Sequence, residues 1–118
     1  MADLQTIKIP PRRGDRAKGI SDLDAVTAFL EDFGNAKGQL TLVCWGRAWS
    51  HYWGAMGEGC TLADFLRGAS TGYVVGQLML PPGVLTKRAE RGEERWLTDI
   101  VEALKDRLRA GNTGEVQK

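Results

Sequence analysis

Alternation of apolar and polar residues predicts strands in the first half of the chain. The run QLTLVCW, residues 39–45, alternates cleanly and is rich in β-forming residues, which makes it the clearest strand. Ile7 and Ile9 alternate with polar neighbours ahead of a Pro-Pro pair that cannot continue a strand ladder. Residues 6–9 are therefore predicted to form an edge strand, and an exposed edge is a template for pairing with a second copy.

A tight turn after residue 45 predicts that AWSHYW returns as the partner strand. Gly46 and Arg47 supply the Gly-X pair of a two-residue type II′ turn. The register that follows sets three facing pairs on one side of the sheet: Cys44 with Trp49, Leu42 with His51, and Leu40 with Trp53. The other face, or the turn itself, would hold Trp45, Arg47 and Tyr52.

The same segment also fits a helix, because Trp45, Trp49 and Trp53 are spaced four residues apart. Two glycines inside that helix would cost about 1 kcal/mol each relative to alanine, and no capping residue precedes it. We therefore prefer the hairpin.

Helical periodicity dominates the second half of the chain. Thr61 and Asp64 form a capping box ahead of LADFLRGA, and a short second helix, GYVVGQLML, ends at a Pro-Pro pair. A last helix over about residues 87–110 carries one apolar face, made by Trp96, Leu97, Ile100, Val101, Leu104 and Leu108.

Residues 21–33, SDLDAVTAFLEDF, are compatible with either a helix or a strand. Ser21 and Asp24 could cap a helix that Gly34 would end, whereas Val26, Thr27 and the following GNAKG suit a strand and a four- or five-residue hairpin loop. Periodicity alone does not decide between them.

Two longer stretches carry a resemblance. LTLVCWGRAWSHYWGAMG, TLADFLRGASTGYVVGQL and the closing amphipathic helix resemble a group of small proteins of unknown function encoded by tailed bacteriophages and prophages, over residues 26–108. The resemblance implies an extended run at residues 25–33, and it brings no activity, cofactor or catalytic residue. The basic amino-terminal arm departs from the group's pattern.

Together these patterns predict an α+β fold, an antiparallel three- to four-stranded meander packed on one face by three helices in the order ββββααα. The 118 residues, of which 42% are hydrophobic, suffice for one core. We expect a basic amino-terminal strand and arm over residues 1–20, a single α+β domain over 21–111 and a disordered tail over 112–118.

The net charge, the amino-terminal sequence and the cysteine content indicate the class of partner and the compartment of the protein. The net charge of +1 gives no support to binding of duplex DNA, which usually shows a clear basic excess. The chain opens without an apolar secretory leader and has no run of about 20 apolar residues that would span a membrane. With two cysteines it is expected in the reducing cytoplasm of the bacterial host, with no membrane partner.

The residues give little support to catalysis or metal binding. A Cys-His nucleophile would need Cys44 or Cys60 beside His51, yet a cysteine in mid-strand is usually a small buried apolar residue. The same three side chains, even with Glu58, lack the paired spacing of zinc sites. We expect no catalytic residue, no metal and no cofactor, and therefore a non-enzymatic protein.

A binding role remains. Trp, Tyr and Arg dominate interface energetics, so Trp45, Arg47 and Tyr52 are candidate partner-binding residues. The basic arm, with Arg12, Arg13 and Arg16, joins them as a segment that could hold an acidic partner or a phosphate. The resemblance implies an accessory protein that binds a host or phage protein, one such role being inhibition of a bacterial defence system. The alternative is a single-stranded nucleic-acid-binding protein that stacks bases on Trp and Tyr.

Overall fold

Four antiparallel strands in chain order form one sheet, and three helices follow. The computed structural model describes residues 3–79 and 85–110. The elements are β1 (Asp3–Ile9), β2 (Val26–Gly34), β3 (Lys37–Cys44), β4 (Arg47–Trp53), α1 (Leu62–Gly68), α2 (Thr71–Leu78) and α3 (Lys87–Arg109). This confirms the predicted α+β order with four strands. It also settles the segment before residue 34 as a strand from Val26 onward.

The domain boundaries stay a prediction, and the tail assigned to residues 112–118 lies outside the described residues. Within the described part, no helix is both long enough and apolar enough to cross a membrane.

The turn between β2 and β3 contains only two residues. Asn35 and Ala36 both have positive φ angles, 53° and 60°, and Gly34 pairs with Lys37 across the turn. The predicted loop of four or five residues is therefore wrong. Its glycines are used differently, because Gly34 ends β2 at a register shift and Gly38 lies within β3.

The turn between β3 and β4 also differs from the prediction. Trp45 and Gly46 occupy it with φ angles of 52° and 79°, so Cys44 pairs with Arg47 instead of Trp49. Positive φ at both positions is the type I′ geometry, which matches the twist of the flanking strands and favours glycine second. The predicted type II′ turn and its register are wrong.

Because the register error is two residues, the side chains of the strands keep their faces. Leu42 lies opposite Trp49, and Leu40 lies opposite His51. The indoles of Trp49 and Trp53 are buried beneath the helices, and His51 is half-buried. The buried face of the sheet continues through β1 and β2 with Ile7, Ile9, Val26, Ala28 and Leu30.

A carboxylate from the sheet fixes the start of α1. Asp32 on β2 accepts a hydrogen bond from the Leu62 amide at 2.9 Å with one oxygen, and from the Gly34 amide at 2.9 Å with the other. Thr61 caps the same helix by accepting from the Asp64 amide at 3.2 Å, as predicted. The amides at the start of a helix lack partners within the helix, so these bonds satisfy them.

The end of α1 is held by an amine from α3. The buried Lys105 ammonium donates to the carbonyl oxygens of Leu66 at 3.2 Å and Arg67 at 3.4 Å, and also to that of Ala69. Burial lowers the pKa of Lys105, and Arg109 adds to the effect. A cation is favoured at a helix C-terminus, where carbonyls are unpaired.

We expect Asp32→Ala to lower the free energy of unfolding by about 1 to 2 kcal/mol, because two amides lose their acceptor. Asp32→Asn keeps one carbonyl oxygen as an acceptor but turns an NH2 group towards the other amide, so it should also destabilise the fold. Urea denaturation of the three proteins measures both values. Equal stability of Asp32→Ala and the wild type would contradict this role.

Candidate functional site

A buried carboxylate joins α3 to the hairpin formed by β3 and β4. Glu93 is only 7% exposed, and it accepts a hydrogen bond from Arg47 Nη2 at 2.6 Å and one from Trp49 Nε1 at 3.3 Å. The Trp49 ring meets Trp96 edge to face at a centroid distance of 4.9 Å. The Arg47 guanidinium lies 5.3 Å from the Trp49 ring and 5.7 Å from the Trp96 ring, so charge and aromatic contacts act together.

This arrangement places Arg47 on the helix-covered side of the sheet. It was predicted on the other face or at the turn beside Trp45 and Tyr52. The displaced turn makes it the first residue of β4, opposite Cys44, from where it reaches Glu93. About half of its side chain, 48%, stays exposed. Any partner contact would therefore be made by a guanidinium already paired with an acid.

Trp45 forms the tip of the hairpin. Trp45 is 80% exposed, which is the largest exposed fraction among the large apolar residues of the described chain. Its φ of 52° lies in the left-handed region, which costs an L-residue with a bulky side chain roughly 1 to 2 kcal/mol. An asparagine would suit the position better, so local stability does not explain this tryptophan.

Tyr52 lies away from this tip. It pairs with Gln39 near the far end of β4, on the sheet face that none of the described helices covers, and it is 49% exposed. Its ring contacts Phe33 at a centroid distance of 6.0 Å. Beside them Ser50 bonds Gln39 at 2.9 Å and Thr41 at 3.2 Å, so the part of the open face next to Tyr52 is polar and uncharged.

The basic arm forms a loop at the same end of the sheet as Trp45. Two isolated bridges close this loop before β2 begins, one between Arg12 and Leu23 and one between Asp15 and Ile20. Arg12 donates to the Ser21 carbonyl at 2.9 Å and lies 4.0 Å from Asp99 on α3.

The two other arginines of the arm point elsewhere. Arg13 and Arg16 are exposed and line a shallow cleft of about 650 Å³ together with Asp22. The structure therefore brings Arg13 and Arg16 to the Trp45 end of the molecule. It does not bring them to Tyr52.

Cys44 and His51 lie apart on the sheet, because Cys44 faces Arg47 and His51 is four residues further along β4. Cys44 is buried, with its thiol 3.7 Å from the Asp24 carbonyl, whereas His51 pairs with Leu40 and packs its ring 4.6 Å from that of Trp53. Burial raises the pKa of the Cys44 thiol, and a hydrogen bond with Trp96 opposes this only in part.

The second cysteine lies in a different place. Cys60 and Glu58 line a cleft beside Asp32, at the start of α1. Within residues 3–79 and 85–110, no three His, Cys, Asp or Glu side chains are grouped closely enough to hold a metal ion.

Glu93, which organises the hairpin, was not among the predicted site residues. The signal was present, since Glu93 precedes Leu97 by four residues and so falls on the apolar face of α3. An acid at such a position needs a buried partner.

We expect Glu93→Gln to destabilise the fold by about 1 to 3 kcal/mol, because an amide group would face two donors and leave Arg47 unpaired. Glu94→Gln is the matched control, since the neighbouring side chain is exposed. Urea denaturation compares the two, and similar stabilities would contradict an organising role.

For the same reason Arg47→Glu should strongly lower the free energy of unfolding, because it places a second carboxylate beside Glu93.

Alkylation of the native protein should label Cys60 well before Cys44, because the thiolate is the reactive form and burial disfavours it at Cys44. Because burial raises the pKa of Cys44 only in the folded state, this thiol stays protonated to a higher pH in the folded protein than in the unfolded chain. Stability contributed by Cys44 should therefore fall as the pH rises above the ordinary thiol pKa. Mass spectrometry after timed iodoacetamide treatment locates the label, and faster labelling of Cys44 would restore the nucleophile hypothesis.

Comparison with protein families gives a match. Residues 13–83 match the phage family Phage_phiTE_072, a stretch that runs from the basic arm through all of α2. No curated protein and no solved structure matches the chain. The family match spans more than half of the chain, which therefore belongs to this phage family.

Proposed function

We propose that this phage protein works by binding a protein of the host or of the phage, with Trp45 as the central contact. The observation that carries the proposal is an indole held 80% exposed at a left-handed turn position. Strain of this kind is kept where surrounding structure enforces it, and it is concentrated at functional sites. A tryptophan buried on association also supplies more binding energy than most other side chains.

The anchoring of the hairpin supports this role. Arg47 and Trp49, two and four residues beyond the tip, are both bonded to Glu93 on α3. The tip is therefore presented by a fixed strand, and ordering it on binding costs little entropy. The exposed Arg13 and Arg16 at the same end of the sheet supply polar groups for the rim of the interface.

Charge favours a protein over a nucleic acid as the partner. The net charge is +1, and two of the arginines, Arg12 and Arg47, lie beside acids on α3. A single-stranded nucleic acid would need a basic groove with several stacking rings, yet Trp45 and Tyr52 lie at opposite ends of the hairpin. The specific role that we propose is inhibition of a bacterial defence system by occupying one of its proteins.

Trp45→Asn should remove binding while leaving the protein as stable as the wild type or about 0.5 to 1 kcal/mol more stable, because asparagine tolerates the left-handed turn. Affinity pull-down from host lysate with nuclease treatment, with the captured protein then purified and titrated, measures the first effect. Thermal unfolding measures the second. Tyr52→Ser is the control for loss of an exposed aromatic ring elsewhere on the hairpin.

Three results would contradict the proposal. Trp45→Asn could bind as well as the wild type, or it could lose stability, which would make Trp45 a structural residue. Recovery of nucleic acid, with affinity that falls steeply with salt, would establish the stacking alternative. The defence role is tested by plating a defence-sensitive phage on cells that express the wild type or Trp45→Asn, and equal plating with both would contradict it.

A further inference from the structure

β4 is an edge strand that lacks the features which usually prevent pairing with another strand. The sheet of the described chain ends at β1 on one side and at β4 on the other. Edge strands are usually protected by charged residues, prolines or bulges. β1 has such features, since it contains Lys8 and leads into Pro10, but β4 carries no charge after Arg47 and no proline.

The register defines which backbone groups of β4 are available. A two-residue turn is closed by a hydrogen-bonded pair, here Cys44 with Arg47, and bonded and non-bonded pairs then alternate along the ladder. The amides and carbonyls of residues 48, 50 and 52 therefore point away from β3. The three residues, Ala48, Ser50 and Tyr52, are also exposed.

We propose that β4 pairs antiparallel with β4 of a second copy, about a two-fold axis at Ser50, to make one continuous eight-stranded sheet. A two-fold interface requires a surface that is complementary to itself, and this register provides it. On the uncovered face, Tyr52 of one copy lies opposite the small Ala48 of the other, and the two Ser50 side chains meet at the axis.

On the helix-covered side of this register, Trp49 lies opposite His51 of the second copy and Arg47 lies opposite Trp53. The two indoles are already buried within their own copy, so the uncovered face carries the side-chain contacts of the pairing. No two like charges lie opposite each other, which would oppose pairing. Trp45 is in the turn beyond the paired residues, so this inference and the proposed function stand or fall separately.

The first test is the mass of the protein in solution. Sedimentation equilibrium of the wild type should give a concentration-dependent rise to twice the 12.9 kDa of one chain. Ser50→Lys should remain a monomer, since it places two ammonium groups at the axis. Thr41→Lys is the matched control, because it adds the same charge to the same face on the neighbouring interior strand and should still dimerise.

The second test determines the register by disulfide cross-linking between two copies. All variants carry Cys60→Ser, which removes the accessible thiol. Ser50→Cys should form a disulfide-linked dimer under mild oxidation, because directly opposite residues have Cα atoms about 5.5 Å apart. Ala48→Cys should not, because its symmetry mate lies four residues along the ladder, about 13 Å away. A wild type that stays monomeric at every concentration, or equal cross-linking at both positions, would overturn the proposal.

Discussion

The carboxylate of Glu93 is the contact on which the arrangement of this protein depends. Apolar burial brings a sheet and three helices together, but it is non-directional and leaves the hairpin free to slide against α3. Two hydrogen bonds to one buried acid remove that freedom, because Arg47 and Trp49 can reach it together only in a single register. The charge is tolerated in the core since both of its oxygens are bonded.

The two ends of α1 are fixed by the same principle. Asp32 accepts from the first amide of the helix, that of Leu62, and Lys105 donates to its last carbonyls. The two side chains come from different layers of the fold. A helix of seven residues is too short to be stable by itself, so these polar contacts and the packing of Leu62 against the sheet determine its position. Gly38 permits that packing, since a Cβ there would lie 3.1 Å from the Cβ of Leu62.

Sequence patterns predicted β1, β3, β4 and the three helices, but periodicity left β2 open between a strand and a helix, and the contacts between the elements were not predicted. Alternation gave β3 and β4, and the capping residue Thr61 gave the start of α1, because both signals are local. The turn at Trp45 was misplaced because its left-handed conformation is atypical for tryptophan, and turn preferences are the only local guide to register. The role of Glu93 depends on a strand more than forty residues earlier, although its place on an apolar helix face marks it as unusual.

Separation of the anchor from the tip determines which substitutions in the hairpin affect folding. The residues that stabilise the hairpin are Arg47 and Trp49, whereas the side chain at position 45 extends into solvent and carries no part of the core. Under the binding role proposed above, substitution at the tip would change what the protein recognises without a loss of folding stability. A change of target would then require no compensating change in the core.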